Sequence, residues 1–205
     1  ELLSASKADV THVIVDACKS YFLVFDRGPG GERRPALGQM PKEVASFPEN
    51  MGFLLSTSSA ADTHEWEAFQ SGVFSHEVRS ALRGAADLDG DGKISYEEAA
   101  AFVYAANRTI PNARYRPAVF ARAPGGATLS TATIVDIGDR GDSRLRVGPG
   151  VDEHLYVEDS RGNRISDLHP SQDVVVDLVL PPTRPVFVRE PKAAREYQVD
   201  QAGIV

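Results

Sequence analysis

The sequence predicts an α/β unit followed by a C-terminal all-β unit, and three observations lead to this fold class. Residues 9–16 alternate in polarity and are rich in β-branched side chains, which predicts a buried strand. Residues 73–82 and 96–107 carry apolar side chains at helical spacing. Residues 127–205 contain short β-type runs separated by Gly, Pro, Asp and Asn turns, a texture typical of a small sandwich or meander.

Further short runs complete the predicted elements and set the domain limits. Residues 52–55 predict a second strand and residues 117–122 another one. The Ala-Pro-Gly-Gly stretch at residues 123–126 interrupts both patterns and is the expected junction. The expected domains are therefore residues 1–122, a partial sheet flanked by helices, and residues 127–205, an all-β accessory unit.

Bulk properties exclude some classes of function. The 205 residues are 42% apolar with a net charge of −7, so we expect no nucleic-acid partner, which would need a basic face. No apolar run approaches a membrane span, and we expect no membrane partner. The first ten residues lack the basic start and apolar stretch of a signal peptide, which favours a cytoplasmic location.

The single cysteine, Cys18, lies just beyond the first predicted strand. Side chains at the carboxyl ends of strands in open α/β sheets point into a crevice, where ligands bind. A thiolate there needs a nearby base and N–H donors for an oxyanion if it is to act as a nucleophile. The alternative is a buried structural cysteine, a common fate of a lone thiol.

A family resemblance favours the nucleophile. The Asp-Ala-Cys-Lys-Ser segment at residues 16–20 resembles the nucleophile segment of bacterial caspase-like and metacaspase peptidases. Gly-Val-Phe-Ser-His at residues 72–76 and the segment 81–87 resemble the helix and loop that follow in bacterial members. The similarity covers roughly residues 8–120. It implies an α/β caspase-like fold and a cysteine endopeptidase with Cys18 as its catalytic nucleophile, acting on a protein or peptide substrate.

The resemblance also implies substrate-binding residues. Asp16, two positions before the nucleophile, matches the acid that lines the S1 pocket and pairs with a P1 Arg or Lys; the alternative is a strand-end Asp that binds local backbone N–H groups. Ser56 matches the segment that flanks the substrate. Arg27, Arg33 and Arg34 lie in the Gly- and Pro-rich loop after the nucleophile, where caspase relatives are processed.

The catalytic base is missing from the expected place. In the caspase signature the histidine lies about 50 residues before the cysteine, and only 17 residues precede Cys18. His12 is the one upstream histidine, and strand geometry places it roughly 20 Å from Cys18. His64 follows the second strand, and folding of the chain can bring it near. We expect the base to come from an upstream segment or subunit, and this chain alone to be inactive.

Residues 87–98 match the twelve-residue EF-hand calcium loop at each diagnostic position. Gly92 stands at the sixth position, where the chain must turn sharply, and Ile94 at the apolar eighth position. Without a cation the carboxylates would repel one another. The alternative is an acidic turn in which two of these residues only form a helix capping box. The predicted Ca²⁺ ligands are Asp87, Asp89, Asp91, Lys93 (through its carbonyl), Ser95 and Glu98.

The sequence is compatible with two roles for calcium. A lone loop can clamp two helices, so that binding energy appears as folding energy, or Ca²⁺ can gate the peptidase, as in many metacaspases. An alternative function for the whole chain is a calcium-binding, non-catalytic scaffold with a degenerate caspase fold.

Overall fold

The computed structural model describes residues 7–16, 47–56, 65–66, 71–108, 110, 116, 118–138, 144–151, 153–170, 173–182 and 185–200. Within these ranges the helices are α1 (Val73–Ser80) and α2 (Tyr96–Asn107), and a π-helical turn, Ala81–Ala85, follows α1. The strands are β1 (Thr11–Val15), β2 (Met51–Ser56), β3 (Glu65–Trp66), β4 (Ser71–Gly72), β5 (Lys93–Ser95), β6 (Val119–Arg122), β7 (Thr133–Asp136), β8 (Arg144–Val147), β9 (Leu155–Asp159), β10 (Arg164–Leu168), β11 (Val176–Val179), β12 (Val186–Glu190) and β13 (Arg195–Val199).

The predicted strands of the first unit form one three-stranded sheet in the order β1-β2-β6. Strand β1 runs parallel to β2, and β6 is antiparallel to β2. All six residues of β2 are buried, as befits a strand with a neighbour on both sides. The three strands are confirmed, with limits no more than two residues from the predicted ones. The prediction that residues 9–16 are buried is wrong: β1 lies at the edge of this sheet, and its residues are half-buried or exposed. The caspase-like assignment of this sheet stays a prediction.

Helix α1 buries the apolar face that the sequence predicts, including Phe74 and Val78. The predicted helical stretch 73–82 is α-helical to Ser80 and then widens into the π-helical turn. Within this turn Gly84 has a φ of +117°, in a region that side-chain-bearing residues rarely adopt. A Cβ at Gly84 would also overlap the carbonyl oxygen of Asp177.

Helix α2 confirms the predicted limits 96–107. It begins with a capping box in which Ser95 Oγ accepts from the Glu98 N–H while the Glu98 carboxylate accepts from the Ser95 N–H. Its buried face packs toward α1 and the π-helical turn and is formed by Ala99, Phe102, Val103 and Ala106.

After Arg122 every regular element in the described residues is a strand. Strands β10-β9-β12-β13 form an antiparallel sheet, and β8 pairs with β11. Of the seven strands β7 to β13, five lie in the predicted β-type runs at residues 127–137, 143–148, 153–159, 173–180 and 185–190, whereas β10 and β13 were not predicted. Strand β7 pairs with β5 of the acidic loop rather than with the rest of the C-terminal unit.

One buried apolar cluster extends across the predicted junction. Phe74 and Val103 from the helices belong to the same cluster as Leu145, Leu178 and Val186 from the later strands. Residues 123–126 therefore do not separate two independent cores. Burial on this scale is the main favourable contribution to folding, so the β strands help to stabilise the helices they cover.

Candidate functional site

The two predicted substrate-binding residues lie at neighbouring strand ends. The parallel register pairs Val15 with Leu55, which brings Asp16 alongside Ser56 at the carboxyl ends of β1 and β2. Ser56 is 2% exposed, so its hydroxyl is enclosed by the fold. Cys18 lies outside the described residues, two positions beyond Asp16.

The Asp16 carboxylate binds the N-terminus of α1. The Ser75 N–H and hydroxyl both donate to Asp16 Oδ2, at 3.1 and 2.6 Å. A carboxylate is favourable there because the first N–H groups of a helix lack partners and carry the positive end of the dipole. Gly72 permits the approach, since a Cβ on it would overlap Asp16 Oδ2. Asp16 thus acts as a helix cap, and its role toward a substrate stays a proposal.

Each histidine in the part of the chain that the structure describes contacts a group other than Asp16. His12 lies in β1, as predicted, with Nδ1 2.7 Å from the Tyr96 hydroxyl. His76 and His154 both bind Asp167. The ring of His169 stacks on that of His154, with centroids 4.7 Å apart. His64 lies outside the described residues.

Asp167 forms a buried polar cluster that sequence reasoning missed. The imidazoles of His76 and His154 donate to its two oxygens at 2.6 and 2.5 Å, and its own N–H donates to Ser80 Oγ. Burial opposes ionisation of Asp167, but the two imidazoles and the nearby Arg164 outweigh it and hold the pKa of the carboxyl well below its usual range. The sequence offers no clear local signal for this cluster, because the strand that carries Asp167 has the sequence Arg-Ile-Ser-Asp-Leu and was not predicted.

Burial shifts the pKa of the groups around Asp167 toward their neutral forms. Burial lowers the pKa of His76, and the bond to Asp167 only partly offsets this. Burial lowers the pKa of His169 to about 4, and His154 adds to the effect. Glu77 is 5% exposed, and burial raises its pKa to about 9, with smaller contributions from Asp167 and Asp16. Glu77 is therefore a protonated acid at neutral pH.

The acidic loop brings three predicted calcium ligands together. One carboxylate oxygen from each of Asp87, Asp89 and Asp91 lies within 4.8 Å of the others. Gly90 and Gly92 have φ values of +76° and +78°, the left-handed turns that let the backbone wrap around this point. The donor set is entirely oxygen, as Ca²⁺ requires.

Backbone N–H groups hold these carboxylates in place. Asp87 accepts from the N–H groups of Gly90 and Gly92, at 2.9 and 3.1 Å, and Asp91 accepts from that of Lys93 at 2.7 Å. Burial raises the pKa of Asp87, the backbone donors oppose this, and the negative charges of Glu98 and Asp91 add to it. Burial is the largest of these effects. The residues fit a Ca²⁺ ion because several carboxylate oxygens are held close together by the backbone.

The remaining two predicted side-chain ligands are joined to each other. Glu98 Oε2 accepts from the N–H and the hydroxyl of Ser95, at 2.9 and 2.8 Å, and Glu98 Oε1 accepts from the Leu88 N–H at 3.2 Å. The capping box that was the alternative to a calcium loop is thus present. The bond to Leu88 goes further, because it ties the last position of the loop to its second.

Strand β7 supports the back of the loop. Ile94 pairs with Val135, and the Gly92 carbonyl accepts from the N–H groups of Ile137 and Gly138, at 2.8 and 3.2 Å. Ile94 and Ile137 are both fully buried. A strand from beyond the predicted junction thus occupies this side of the acidic loop.

Comparison with protein-family models, with curated proteins and with solved structures finds no match. No helix within the described ranges has both the length and the apolar character needed to cross a membrane.

Proposed function

We propose that this chain is the nucleophile-bearing part of a caspase-like cysteine endopeptidase that cleaves after Arg or Lys. The observation that carries the proposal is the register of β1 on β2, which sets Asp16 beside Ser56 at the carboxyl ends of two parallel strands. Cys18 follows two residues later. Because ligands of open α/β sheets bind at such strand ends, Cys18 and Asp16 would face one crevice, and the enclosed Ser56 would lie beside Asp16.

The proposed reaction is acyl transfer through the thiol of Cys18. An imidazole accepts the proton of this thiol and becomes an imidazolium. The thiolate attacks the scissile carbonyl carbon, and the carbonyl π electrons move to the oxygen, where backbone N–H groups stabilise the oxyanion. Collapse expels the amine, which takes the proton from the imidazolium. Water then hydrolyses the thioester and restores the thiol. The imidazole is proposed to come from an upstream segment or subunit, because His12, His76 and His154 already bind other groups.

Peptide hydrolysis tests the nucleophile. The protein, assayed together with its upstream segment, should cleave a fluorogenic peptide with P1 Arg, and Cys18→Ala should lower kcat/KM at least about a thousandfold. A matched peptide with P1 Asp should be a poor substrate. Equal turnover by the variant and the parent protein would refute Cys18 as the nucleophile.

The role of Asp16 is separable from its helix-capping role. Asp16→Asn keeps the shape and weakens the cap, whereas Ser75→Ala removes the capping hydroxyl and leaves the Asp16 charge. If Asp16 binds the P1 cation, only Asp16→Asn should abolish the preference for P1 Arg over P1 Gln, while both variants lose about 1 kcal/mol of stability. Retention of that preference in Asp16→Asn would leave Asp16 as a cap only.

A second proposal concerns residues 87–98, which we propose bind one Ca²⁺ ion. It is supported by the convergence of the Asp87, Asp89 and Asp91 oxygens within 4.8 Å. The Lys93 carbonyl, Ser95 and Glu98 would complete the oxygen set. The ion would neutralise the repelling carboxylates and clamp the π-helical turn to α2, so that binding energy appears as folding energy.

Calorimetric titration with Ca²⁺ tests this site. Glu98→Gln should weaken binding at least about tenfold, because a bidentate carboxylate is lost. Glu97→Gln is the matched control, since this exposed neighbour is not in the predicted ligand set. Absence of Ca²⁺ binding by the parent protein would leave the loop as an acidic turn with a capping box.

The competing function is a calcium-dependent scaffold in which Cys18 plays no part. It predicts Ca²⁺-dependent partner binding that Cys18→Ala leaves intact, and a thiol that resists iodoacetamide because it is buried. Rapid labelling of Cys18 argues against it. For either function we propose a cytoplasmic location, which cell fractionation would test.

A further inference from the structure

Tyr96 connects the calcium loop to the strands that carry Asp16. It is the tenth residue of the loop, between the predicted ligands Ser95 and Glu98, and the first residue of α2. Its side chain is 1% exposed. Its N–H donates to the Ala132 carbonyl at 3.2 Å, so its backbone is fixed beside the strand that supports the loop.

The Tyr96 side chain spans both parallel strands. The register pairs His12 of β1 with Gly52 of β2. The Tyr96 hydroxyl lies over Gly52, where a Cβ would overlap it, and 2.7 Å from His12 Nδ1. Glycine at this position of a buried central strand is thus explained by the close approach of the tyrosine. The hydroxyl contacts β1 four residues before Asp16 and six before Cys18.

Glu98 is the predicted ligand whose side chain calcium would move. Its two oxygens accept hydrogen bonds from Leu88 and Ser95, and they are not among the converging oxygens of the three aspartates. To ligate the same ion, a Glu98 oxygen has to move toward the three aspartates, and its bonds to Leu88 and Ser95 change with it. That movement acts on the first turn of α2, which contains Tyr96.

We infer that Tyr96 couples occupancy of the calcium loop to the local stability of β1 and β2. The inference rests on the proposed Ca²⁺ site, but it does not depend on peptidase activity. A ligand shifts an equilibrium only through contacts that differ between two states. Here the contacts that differ are those of Glu98, and the bond between Tyr96 and His12 carries their effect to β1. By reciprocity, a change in β1 must alter the affinity for calcium by the same factor.

Hydrogen exchange with and without Ca²⁺ tests the inference. In the parent protein Ca²⁺ should slow amide exchange in β1 (Thr11–Val15) at least about fivefold, the lower range of coupling between sites. Tyr96→Phe deletes only the hydroxyl and should abolish that slowing. Tyr104→Phe is the matched control, because this tyrosine of the same helix is 70% exposed, and it should behave as the parent does. His12→Gln removes the imidazole from the other side and should reproduce the effect of Tyr96→Phe.

The outcomes separate this inference from the site on which it rests. If calorimetry shows no Ca²⁺ binding, the proposed calcium site itself fails. If Ca²⁺ binds but exchange in β1 is unchanged, the site stands and the coupling is refuted. If the slowing persists in Tyr96→Phe and in His12→Gln, coupling exists but does not pass through this pair, and the inference is wrong.

Discussion

Replacement of Glu77 by Gln should stabilise the protein increasingly as the pH rises. Glu77 lies on α1, buried, and its Oε2 has no hydrogen-bond partner among the described residues. Burial, with the negative charges of Asp167 and Asp16, raises its pKa to about 9. Glutamine matches the protonated acid in shape and never ionises, so Glu77→Gln removes the proton linkage while keeping the volume.

The sign and size follow from the two pKa values of Glu77. The ordinary pKa is 4.5, so above this pH the unfolded chain releases a proton that the folded state retains up to about pH 9. The unfolded state then binds fewer protons, and the stability contributed by Glu77 falls as the pH rises through this window. At pH 7, about 2.5 pH units above the ordinary value, the loss amounts to about 3 kcal/mol. The Gln variant does not suffer this loss.

Urea unfolding at pH 5, 6, 7 and 8 measures the difference. The unfolding free energy of Glu77→Gln relative to the parent protein should rise with each step, by about 1 kcal/mol per pH unit. The fixed cost of burying an amide affects every pH equally, so the slope is the decisive quantity. Glu97→Gln, an exposed replacement of the same chemistry, should show no such slope. Parallel curves for Glu77→Gln and the parent protein would refute a protonated Glu77.

Two other substitutions probe positions where the fold leaves no tolerance. Gly84→Ala should lower the unfolding free energy measured in urea by about 2–4 kcal/mol, because the φ of +117° is strained for alanine and the Cβ meets Asp177. Gly148 has open space around it, so Gly148→Ala should change the unfolding free energy by no more than about 0.5 kcal/mol. Equal losses in the two variants would contradict the clash at Gly84. Asp167→Asn should lower the unfolding free energy by about 2 kcal/mol at pH 7, because it leaves a buried imidazole donor unpaired. This loss should shrink in acid as the carboxyl of the parent protein is protonated. A loss that does not depend on pH would contradict an ionised Asp167.

Features set by neighbouring residues could be predicted from the sequence, whereas features set by distant ones could not. The limits of α2 follow from the capping box of Ser95 and Glu98, three residues apart, and the acidic loop follows from its ligand spacing. The support of that loop by β7 could not be predicted, because Ile94 and Val135 pair across about forty residues of chain. Pairing of this kind depends on the whole fold rather than on local pattern.

Asp16 shows the same limit at the candidate site. Its position after a β-branched run predicts a strand end, which the structure confirms. The alternatives from the sequence were a substrate pocket and an Asp that binds local N–H groups. The partner in the structure is Ser75 of α1, which lies 59 residues further along the chain. Asp167 was missed for a related reason: its strand was not predicted, and its partners His76 and His154 lie 91 and 13 residues away along the chain.

The polar contacts of α1 and the shared apolar core show that the two predicted units depend on each other. Two consecutive residues of α1 bind one residue in each predicted unit. Ser75 donates to Asp16 at the end of β1, and His76 binds Asp167 in β10. Both contacts join charged or polar groups that would be costly to leave unpaired. The β strands after residue 126 also cover apolar surface of α1 and α2. The position of α1, and with it the strand end that precedes Cys18, therefore depends on the C-terminal strands, which act as a structural part of the site-bearing unit rather than as an appended module.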